Sequence, residues 1–292
     1  MIRAQGRVVQ LENGGQIAID EYGDLAGEPV FFCHGWPSSR TMAVLTEDAA
    51  RDLGLRIISA DRPGVNESAF QKGRKLIDWP TLLQELADKM NITKFRLLAI
   101  SGGAPYAYVS GWALPQNVKA IAVVSGAPPI SELHEHDGLL KLYRWMLALY
   151  RRQPQLLRRC FQAARPFVSI RMPIRFRPML LKFLQPCDAE VLRDSRAFEA
   201  CFESQRQAWR ASAEGVMVDA EIYALPWGFA LEDVRVPVHL WHGKTDRTFS
   251  YRLAEQVAAR LPNCQAHFVE GAGHYSLPIR HMHEILADLK SV

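Results

Sequence analysis

The stretch Leu97-Leu98-Ala99-Ile100-Ser101-Gly102-Gly103-Ala104 determines how the rest of the chain is interpreted. An apolar run ends at Ser101 among small residues, and a helical pattern begins immediately afterwards. This arrangement is typical of a sharp strand-to-helix turn from which the serine hydroxyl projects as a nucleophile. Ala99 occupies the first small position, where glycine is commoner, and Gly103 occupies the second. If the turn forms, an acid and a histidine should follow further along the chain.

Alternating strands and helices surround this turn. Strands are predicted at Arg7–Gln10, Gln16–Tyr22, Pro29–Cys33, Leu55–Ala60, Lys94–Ile100, Val118–Ser125, Val236–Trp241 and Gln265–Val269. Apolar residues at helical spacing predict helices at Arg40–Leu53, Asp78–Met90, Pro105–Leu114, Tyr251–Leu261 and His281–Leu289. The alternation predicts an α/β fold with a mostly parallel eight-stranded sheet flanked by helices.

The alternation stops in the middle of the chain. Between about residues 128 and 231, aromatic, leucine and arginine residues recur at helical spacings, and prolines interrupt them. We therefore predict a core domain from residues 1–127 and 232–292, with a helical cap inserted at residues 128–231.

Composition narrows the class of protein. Of 292 residues, 48% are hydrophobic and 23% are charged, which is ordinary for a globular protein. No apolar stretch is long enough to span a bilayer, and Met1 to Asn13 has no apolar signal-peptide core, so we expect a cytoplasmic protein. The five cysteines are scattered and form no CxxC pair, which argues against a disulfide framework or a zinc site.

The charge is unevenly distributed. Between Gly138 and Cys187 there are 11 Lys or Arg residues and no Asp or Glu, although the whole chain has a net charge of only +4. The remaining 24 basic and 31 acidic residues give a net charge of −7. This distribution is not that of a uniformly basic nucleic-acid-binding domain.

An acid and a histidine follow the turn in the order that a serine nucleophile requires. Asp246 lies just past a predicted strand, and His274 lies in a glycine-rich loop after the last strand. Residues past the carboxyl ends of parallel strands converge at one sheet edge, so Ser101, Asp246 and His274 can meet. Asp233 precedes its strand and Asp219 lies in the cap, so neither is a good substitute acid.

With these residues the chain resembles the α/β-hydrolase family over nearly its whole length. Five motifs carry the resemblance in order: His34-Gly35-Trp36-Pro37, Asp61-Arg62-Pro63-Gly64, Ala99-Ile100-Ser101-Gly102-Gly103, His242-Gly243-Lys244-Thr245-Asp246 and Gly273-His274. Five motifs at the right spacing are far more specific than any one of them.

The resemblance implies roles for these residues. Ser101 would be the nucleophile, His274 the base and Asp246 the acid that orients the base. The backbone N–H groups of Trp36 and Gly102 would form the oxyanion hole. His34 and Gly35 would support the oxyanion loop, and Asp61 and Arg62 would brace nearby loops. The mechanism requires no metal and no organic cofactor.

Other histidines have simpler interpretations. His281 and His283 are not at the i, i+4 spacing of a helical metal site, so we expect a solvated helix start there. His239 and His267 lie within predicted strands and are interpreted as core histidines.

The resemblance favours hydrolysis of a small to medium carboxylic ester, with a hydrophobic acyl or aryl group, through an acyl-serine intermediate. The cap supplies aromatic residues for such a pocket: Trp145, Phe161, Phe167, Phe176, Phe183, Trp209 and Trp227. The HGWP sequence is also similar to that of epoxide hydrolases, and HGxP recurs in haloalkane dehalogenases, but those relatives use an aspartate where this chain has Ser101. Two alternatives remain: carbon–carbon bond hydrolysis or a lyase reaction on the same triad, and a receptor-like ligand-binding protein with weak activity.

The basic part of the cap begins with a predicted helix at Leu139–Tyr150. Leu139, Leu142, Tyr143, Met146, Leu149 and Tyr150 share one face, and basic residues flank it. We interpret it as a cap helix packed on the core. The alternative is a basic, apolar surface that makes weak peripheral contact with anionic membranes or attracts acidic substrates.

Overall fold

The computed structural model describes residues 6–133, 138–171 and 173–292. Its centre is an eight-stranded sheet in the order β1-β2-β4-β3-β5-β6-β7-β8. The strands are β1 (Arg7–Gln10), β2 (Gln16–Gly23), β3 (Glu28–Cys33), β4 (Leu55–Ala60), β5 (Phe95–Ile100), β6 (Val118–Val124), β7 (Val238–Gly243) and β8 (Cys264–Val269). Only β2 runs antiparallel to its neighbours, and every pair from β4 to β8 is parallel.

Helices cover both faces of the sheet. The described residues form α1 (Glu47–Asp52), α2 (Trp79–Lys89), α3 (Ala104–Ala113), α4 (Lys141–Arg152), α5 (Pro154–Val168), α6 (Arg177–Leu181), α7 (Pro186–Val191), α8 (Ser195–Arg210), α9 (Ala213–Ala224), α10 (Tyr251–Arg260), α11 (Ser276–Arg280) and α12 (Met282–Lys290). Helices α2, α3 and α10 pack into one apolar core, and α1 and α12 pack into a second. The predicted α/β fold is thus confirmed.

The central strands are buried because helices lie on both sides of them. Strand β5 is buried at every residue, and β6 is buried at all but Lys119. Continuous apolar sequence is expected where a parallel strand has no solvent-facing side. All eight predicted strands are confirmed, and their ends differ from the observed ones by at most two residues.

Two helix predictions needed correction. The stretch predicted as one helix at Arg40–Leu53 is a 3₁₀ segment at Arg40–Thr46 followed by the short helix α1. Helix α11, directly after His274, was not predicted at all. Both errors concern segments of five to seven residues, which are too short to show a 3.6-residue apolar repeat.

The segment between β6 and β7 contains α4 to α9 and no strand among its described residues. This agrees with the helical character predicted for residues 128–231. The proposed division into core and cap also includes residues 1–5, 134–137 and 172, which lie outside the described residues.

Helix α9 touches the core backbone to backbone. A Cβ atom added at Gly215 would lie 2.2 Å from the carbonyl oxygen of Gly64, which follows β4. No side chain larger than hydrogen fits between these two backbone segments, so glycine at this position permits the contact.

Among the residues that the structure describes, no helix combines the length and the apolar character needed to cross a bilayer.

Candidate active site

Ser101 occupies a sharp turn between β5 and α3. Its φ angle is +54°, a left-handed value that non-glycine residues rarely adopt. Such strain costs on the order of 1–3 kcal/mol, persists only where the surroundings enforce it, and clusters at functional sites. The turn therefore places the Ser101 side chain at the carboxyl edge of the sheet, as the sequence predicted.

The residues after Ser101 are small because the turn packs against the loop that follows β3. A Cβ at Gly103 would lie 2.0 Å from the carbonyl oxygen of Cys33. A Cβ at Gly102 would lie 2.7 Å from the Cβ of Trp36 and 2.8 Å from the hydroxyl oxygen of Tyr223. These contacts explain why both positions need glycine.

His274 lies between the other two predicted residues. Its Nε2 atom is 3.0 Å from Oγ of Ser101, and its Nδ1 atom is 2.8 Å from Oδ2 of Asp246. The loop that carries His274 follows β8, and the loop that carries Asp246 follows β7. The three parallel strands therefore bring together three residues that are up to 173 positions apart in the chain.

Backbone donors hold the Asp246 carboxylate in place. Its Oδ1 atom accepts hydrogen bonds from the N–H groups of Thr248 (2.7 Å) and Phe249 (3.2 Å). Oδ2 is thereby left facing His274. A carboxylate fixed in this way orients the imidazole and selects the tautomer that has its proton on Nδ1.

The pKa values of this pair move in opposite directions. Burial lowers the pKa of His274, but the negative charge and hydrogen bond of Asp246 outweigh burial and raise it above its usual value. Burial raises the pKa of Asp246, but the positive charge and hydrogen bond of His274 outweigh burial and lower it. The arrangement therefore stabilises an imidazolium beside a carboxylate, the state that a histidine base enters when it takes a proton.

Neither rejected acid contacts His274. Asp219 is buried on α9 and pairs with Arg62 (2.8 Å) and with Arg74. Burial raises the pKa of Asp219, but the two arginines lower it to about 2. Asp233 is exposed in a 3₁₀ turn before β7.

The predicted oxyanion loop is held by Arg62, which is itself fully buried. The Arg62 guanidinium donates to the carbonyl oxygens of His34 (2.6 Å) and Gly35 (2.7 Å). His34 is buried, and its Nδ1 lies 3.0 Å from the carbonyl oxygen of Gly35. Burial and the Arg62 charge hold the pKa of His34 well below its usual value, so His34 is neutral. These contacts link His34, Gly35 and Arg62 to one another; their roles in the reaction stay a prediction.

The two predicted oxyanion donors are neighbours. A Cβ at Gly102 would lie 3.0 Å from the backbone nitrogen of Trp36. The Trp36 N–H has no acceptor within residues 6–133, 138–171 and 173–292. The indole of Trp36 donates to the carbonyl oxygen of Val216 on α9 (2.8 Å), which ties this loop to the helical insertion. The structure thus places both N–H groups beside the Ser101 turn.

Two further residues support the site and were missed in the sequence. The first is Asp188 on α7, whose carboxylate accepts from the backbone N–H groups of His274 (3.1 Å), Tyr275 (3.0 Å) and Ser276 (2.8 Å). Asp188 is buried, so the insertion holds the histidine loop through a carboxyl group for which the described residues supply no ion-pair partner. Nothing in the local sequence of α7 signals this contact, because its partners lie about 87 residues away.

The second is His242, at the end of β7. Its Nε2 lies 3.4 Å from Oδ2 of Asp246 and 2.8 Å from the carbonyl oxygen of Phe249. Burial lowers the pKa of His242. A neutral imidazole therefore packs beside the acid without competing for the proton of His274. Its position at the start of the HGKTD motif was a usable signal, but only the acid of that motif was interpreted.

Two cavities meet at Ser101. The larger is an open groove of about 1650 Å³ that reaches Ser101, Asp246 and His274 and extends along α4. The smaller has a volume of about 60 Å³, borders Ser101 and Gly102, and is otherwise lined mainly by apolar side chains from α4, α5 and α9. A small pocket beside the serine and a wide groove in front of it suit the two parts of a cleavable substrate.

The aromatic residues predicted to form the pocket divide into three groups. Trp145, Phe161, Phe183 and Trp209 line the large groove. Phe167 and Phe176 are exposed and lie outside it, and Trp227 is buried in the core with Phe229 and Tyr108. Leu142, predicted on the packed face of the first cap helix, is 54% exposed at the groove rim. Helical spacing gave the residues of one face but not which neighbour covers them.

One group of side chains could hold a metal ion. His239 on β7, His267 on β8 and Asp288 on α12 have ligand atoms within 4.8 Å of one another. Oδ2 of Asp288 already lies 2.8 Å from Nδ1 of His239 and accepts from the indole of Trp241 (3.1 Å). His239 is buried as predicted, but His267 is only partly buried at an edge strand, since no further strand covers β8.

The predicted helix start at His281 is partly exposed. His281 lies 3.0 Å from Glu284 through Nδ1, an exposed pair within the first turn of α12. This matches the solvated helix start expected there.

The sheet order, the turn at Ser101 and the residues at the carboxyl edge define a class of α/β enzyme with a helical insertion after β6. The chain belongs to the alpha/beta hydrolase fold family, whose model matches residues 28–279. No curated protein sequence matches the chain.

Solved structures with different chemistry share this fold. An esterase from Exiguobacterium antarcticum has a TM-score of 0.69 at 18% identity, over 98% of this chain and 100% of that one. A bromoperoxidase from Bacillus anthracis has a TM-score of 0.74 at 17% identity, over 99% of this chain and 100% of that one. The enol-lactonase from Burkholderia xenovorans LB400 has a TM-score of 0.70 at 12% identity, over 98% of this chain and 100% of that one. At these identities the likeness establishes the fold alone, and the chemistry has to be argued from the site.

Proposed function

We propose that the protein hydrolyses a small to medium carboxylic ester through an acyl-serine intermediate. One observation carries this proposal: Oγ of Ser101, the imidazole of His274 and the carboxylate of Asp246 form a continuous chain with distances of 3.0 and 2.8 Å. Such a chain activates a serine hydroxyl that is otherwise a weak nucleophile.

The reaction has two halves. Ser101 Oγ attacks the ester carbonyl carbon while Nε2 of His274 takes its proton, and the carbonyl oxygen becomes an oxyanion facing the N–H groups of Trp36 and Gly102. Collapse of this intermediate breaks the bond to the alcohol, which leaves with the proton from His274. Water then attacks the acyl-serine in the same way and releases the acid. Each oxyanion donor is typically worth roughly 3–4 kcal/mol.

The two cavities suggest how the ester lies. The pocket of about 60 Å³ is apolar and suits a short acyl group beside Ser101. The groove of about 1650 Å³ takes the remaining part of the substrate and admits the water that deacylates the enzyme. The aromatic lining of the groove favours a hydrophobic group there.

The test is turnover of p-nitrophenyl acetate by the wild type and by Ser101→Ala. We expect kcat/KM to fall by at least about a thousandfold, because the variant has no nucleophile. Ser110→Ala is the matched control, since Ser110 is buried on α3, nine residues further along the chain, and its hydroxyl donates to the carbonyl oxygen of Tyr106. Wild-type activity in Ser101→Ala would contradict the proposal.

Two further measurements separate the alternatives. A fluorophosphonate probe should label the wild type at Ser101, and failure to label would favour a ligand-binding protein with weak activity. A panel of esters and β-diketones should show hydrolysis of the esters, and turnover of the diketones alone would favour carbon–carbon bond cleavage on the same three residues.

A further inference from the structure

One segment of the insertion exposes its apolar side chains. We call residues 165–171 and 173–183 the outer segment. Phe183, Phe167 and Ile174 are 82%, 79% and 77% exposed. The other exposed large apolar residues of the segment are Val168, Ile170, Phe176 and Met179. Exposed apolar surface concentrated in one segment in this way is typical of an interaction site.

Arginines attach the outer segment to the helix beneath it. Arg165 donates to the carbonyl oxygen of Trp209 (3.1 Å), and Arg171 pairs with Glu199 (2.8 Å), both on α8. Arg177 donates to the carbonyl oxygen of Asp194 (2.8 Å), just before α8. These three arginines therefore hold the segment to the protein, while its apolar groups remain in solvent.

Exposed cations occur in the same basic part of the insertion. Lys141, Arg151, Arg152, Arg159 and Lys182 are exposed, and none forms an ion pair within the described residues. The sequence between residues 138 and 187 contains no acidic residue to neutralise them. The surface thus combines exposed aromatic and aliphatic side chains with cations for which the described residues supply no ion-pair partner.

We propose that the outer segment docks on the surface of an anionic lipid bilayer. The free energy of the system falls when Phe and Ile side chains leave water for the boundary between headgroups and acyl chains. Each nearby Lys or Arg adds attraction to anionic headgroups. An apolar protein partner would explain the exposed apolar side chains but not the exposed cations. A purely acidic partner would explain the cations but not the apolar side chains.

The groove opens beside this surface. Phe183 belongs to the outer segment and lines the groove, and Leu142 and Trp145 on α4, 54% and 55% exposed, line it as well. Docking would therefore bring the mouth of the groove to the bilayer surface. The docking itself does not depend on the reaction proposed for Ser101.

The experiment measures sedimentation of the full chain with vesicles of phosphatidylcholine alone or mixed with phosphatidylglycerol. We expect binding to the anionic vesicles at low salt. Binding should fall markedly at 0.5 M NaCl, because salt with a screening length of about 4 Å weakens the attraction between the cations and the headgroups. Ser101→Ala should bind like the wild type, which separates failure of docking from failure of the proposed function.

Matched variants test both components of the surface. Phe167→Ser with Ile174→Ser should weaken binding about tenfold or more, because two apolar anchors are lost. Arg159→Glu and Lys182→Glu should each weaken binding at least about fivefold. Leu25→Ser and Lys94→Glu are the controls: both residues are exposed at the opposite, amino end of the parallel strands, and neither change should alter binding.

Two outcomes would overturn the proposal. Absence of binding to anionic vesicles at low salt would exclude bilayer docking. Concentration-dependent self-association in analytical ultracentrifugation that Phe167→Ser abolishes, without any vesicle binding, would assign the surface to a second copy of the chain. Circular dichroism checks that each variant is folded, which we expect because every substituted side chain other than that of Ser101 is exposed.

Discussion

The two sides of the helical insertion use charged residues in opposite ways. On the inner side, Asp219 and Asp188 are buried and hold parts of the core: the arginine beneath the oxyanion loop and the backbone of the histidine loop. On the outer side, Arg165, Arg171 and Arg177 bond to α8 or to the residue before it, and the apolar residues face solvent. The comparison indicates that the inner side is part of the candidate active site, whereas the outer side contributes little to the fold.

The largest effect is expected on the inner side, at Asp219. Asp219→Asn leaves Arg62 and Arg74 buried without a counter-charge, so the free energy of unfolding should fall by about 3–5 kcal/mol. Urea denaturation measures this loss. Glu199→Gln is the control on the outer side, because its exposed pair with Arg171 is worth at most about 1 kcal/mol. Equal losses in the two variants would invalidate the comparison.

The same ion pairs predict how stability depends on pH. The pKa of Asp219 is lowered to about 2 in the folded protein from a usual value of 3.8. The stabilisation from its ionised form is therefore complete above the unfolded pKa and is lost as the pH falls through about 2. Over this acidic range the wild type should lose more stability than Asp219→Asn.

An intermediate effect is expected at Asp188, which we interpret as a positioning residue. Asp188→Asn keeps the size of the side chain but cannot accept three N–H bonds as a carboxylate does, so the His274 loop should shift. We expect kcat to fall about tenfold to a hundredfold with a smaller change in KM, since misplacement of about 1 Å can have such an effect. Steady-state kinetics with p-nitrophenyl acetate measure both constants.

A pH profile separates this role from general loss of structure. The Asp188 charge contributes to the raised pKa of His274. Activity requires neutral His274, so the acidic limb of kcat/KM should move to lower pH in Asp188→Asn. An unchanged limb together with a lower melting temperature would indicate a merely structural role.

The smallest effect on stability is expected in the outer segment. Ile174→Ser removes a side chain that is 77% exposed, so the free energy of unfolding should change by no more than about 0.5 kcal/mol. Leu157→Ser, on the buried face of α5, is the contrasting variant and should cost several kcal/mol. A large loss in Ile174→Ser would show that the outer segment supports the fold after all.

The core was largely predictable from the sequence because its signals are local. Strand β6 is a short apolar run, and Ser101 lies in a turn whose small residues are required by contacts with Cys33 and Trp36. The order of Ser101, Asp246 and His274 along the chain, combined with parallel strands, was sufficient to place them at one edge.

The insertion was much less predictable because its contacts are long-range. Asp219 was set aside as a residue of the cap, yet it pairs with Arg62, 157 residues away. Asp188 has the same character, and the exposure of Leu142 depends on which helix covers it. Helical spacing predicts which residues share a face, but only packing decides whether that face is covered by protein, by a groove or by solvent.

The glycine contact between α9 and the loop after β4 holds one wall of the site against the core. Gly215 and Gly64 lie backbone to backbone, and Asp219 is on the same helix. Helix α9 is therefore packed directly against the backbone of the core. A substrate too wide for the groove would have to displace α4 and α5, which line it, and the segment that follows α5 carries the surface proposed to dock on lipid.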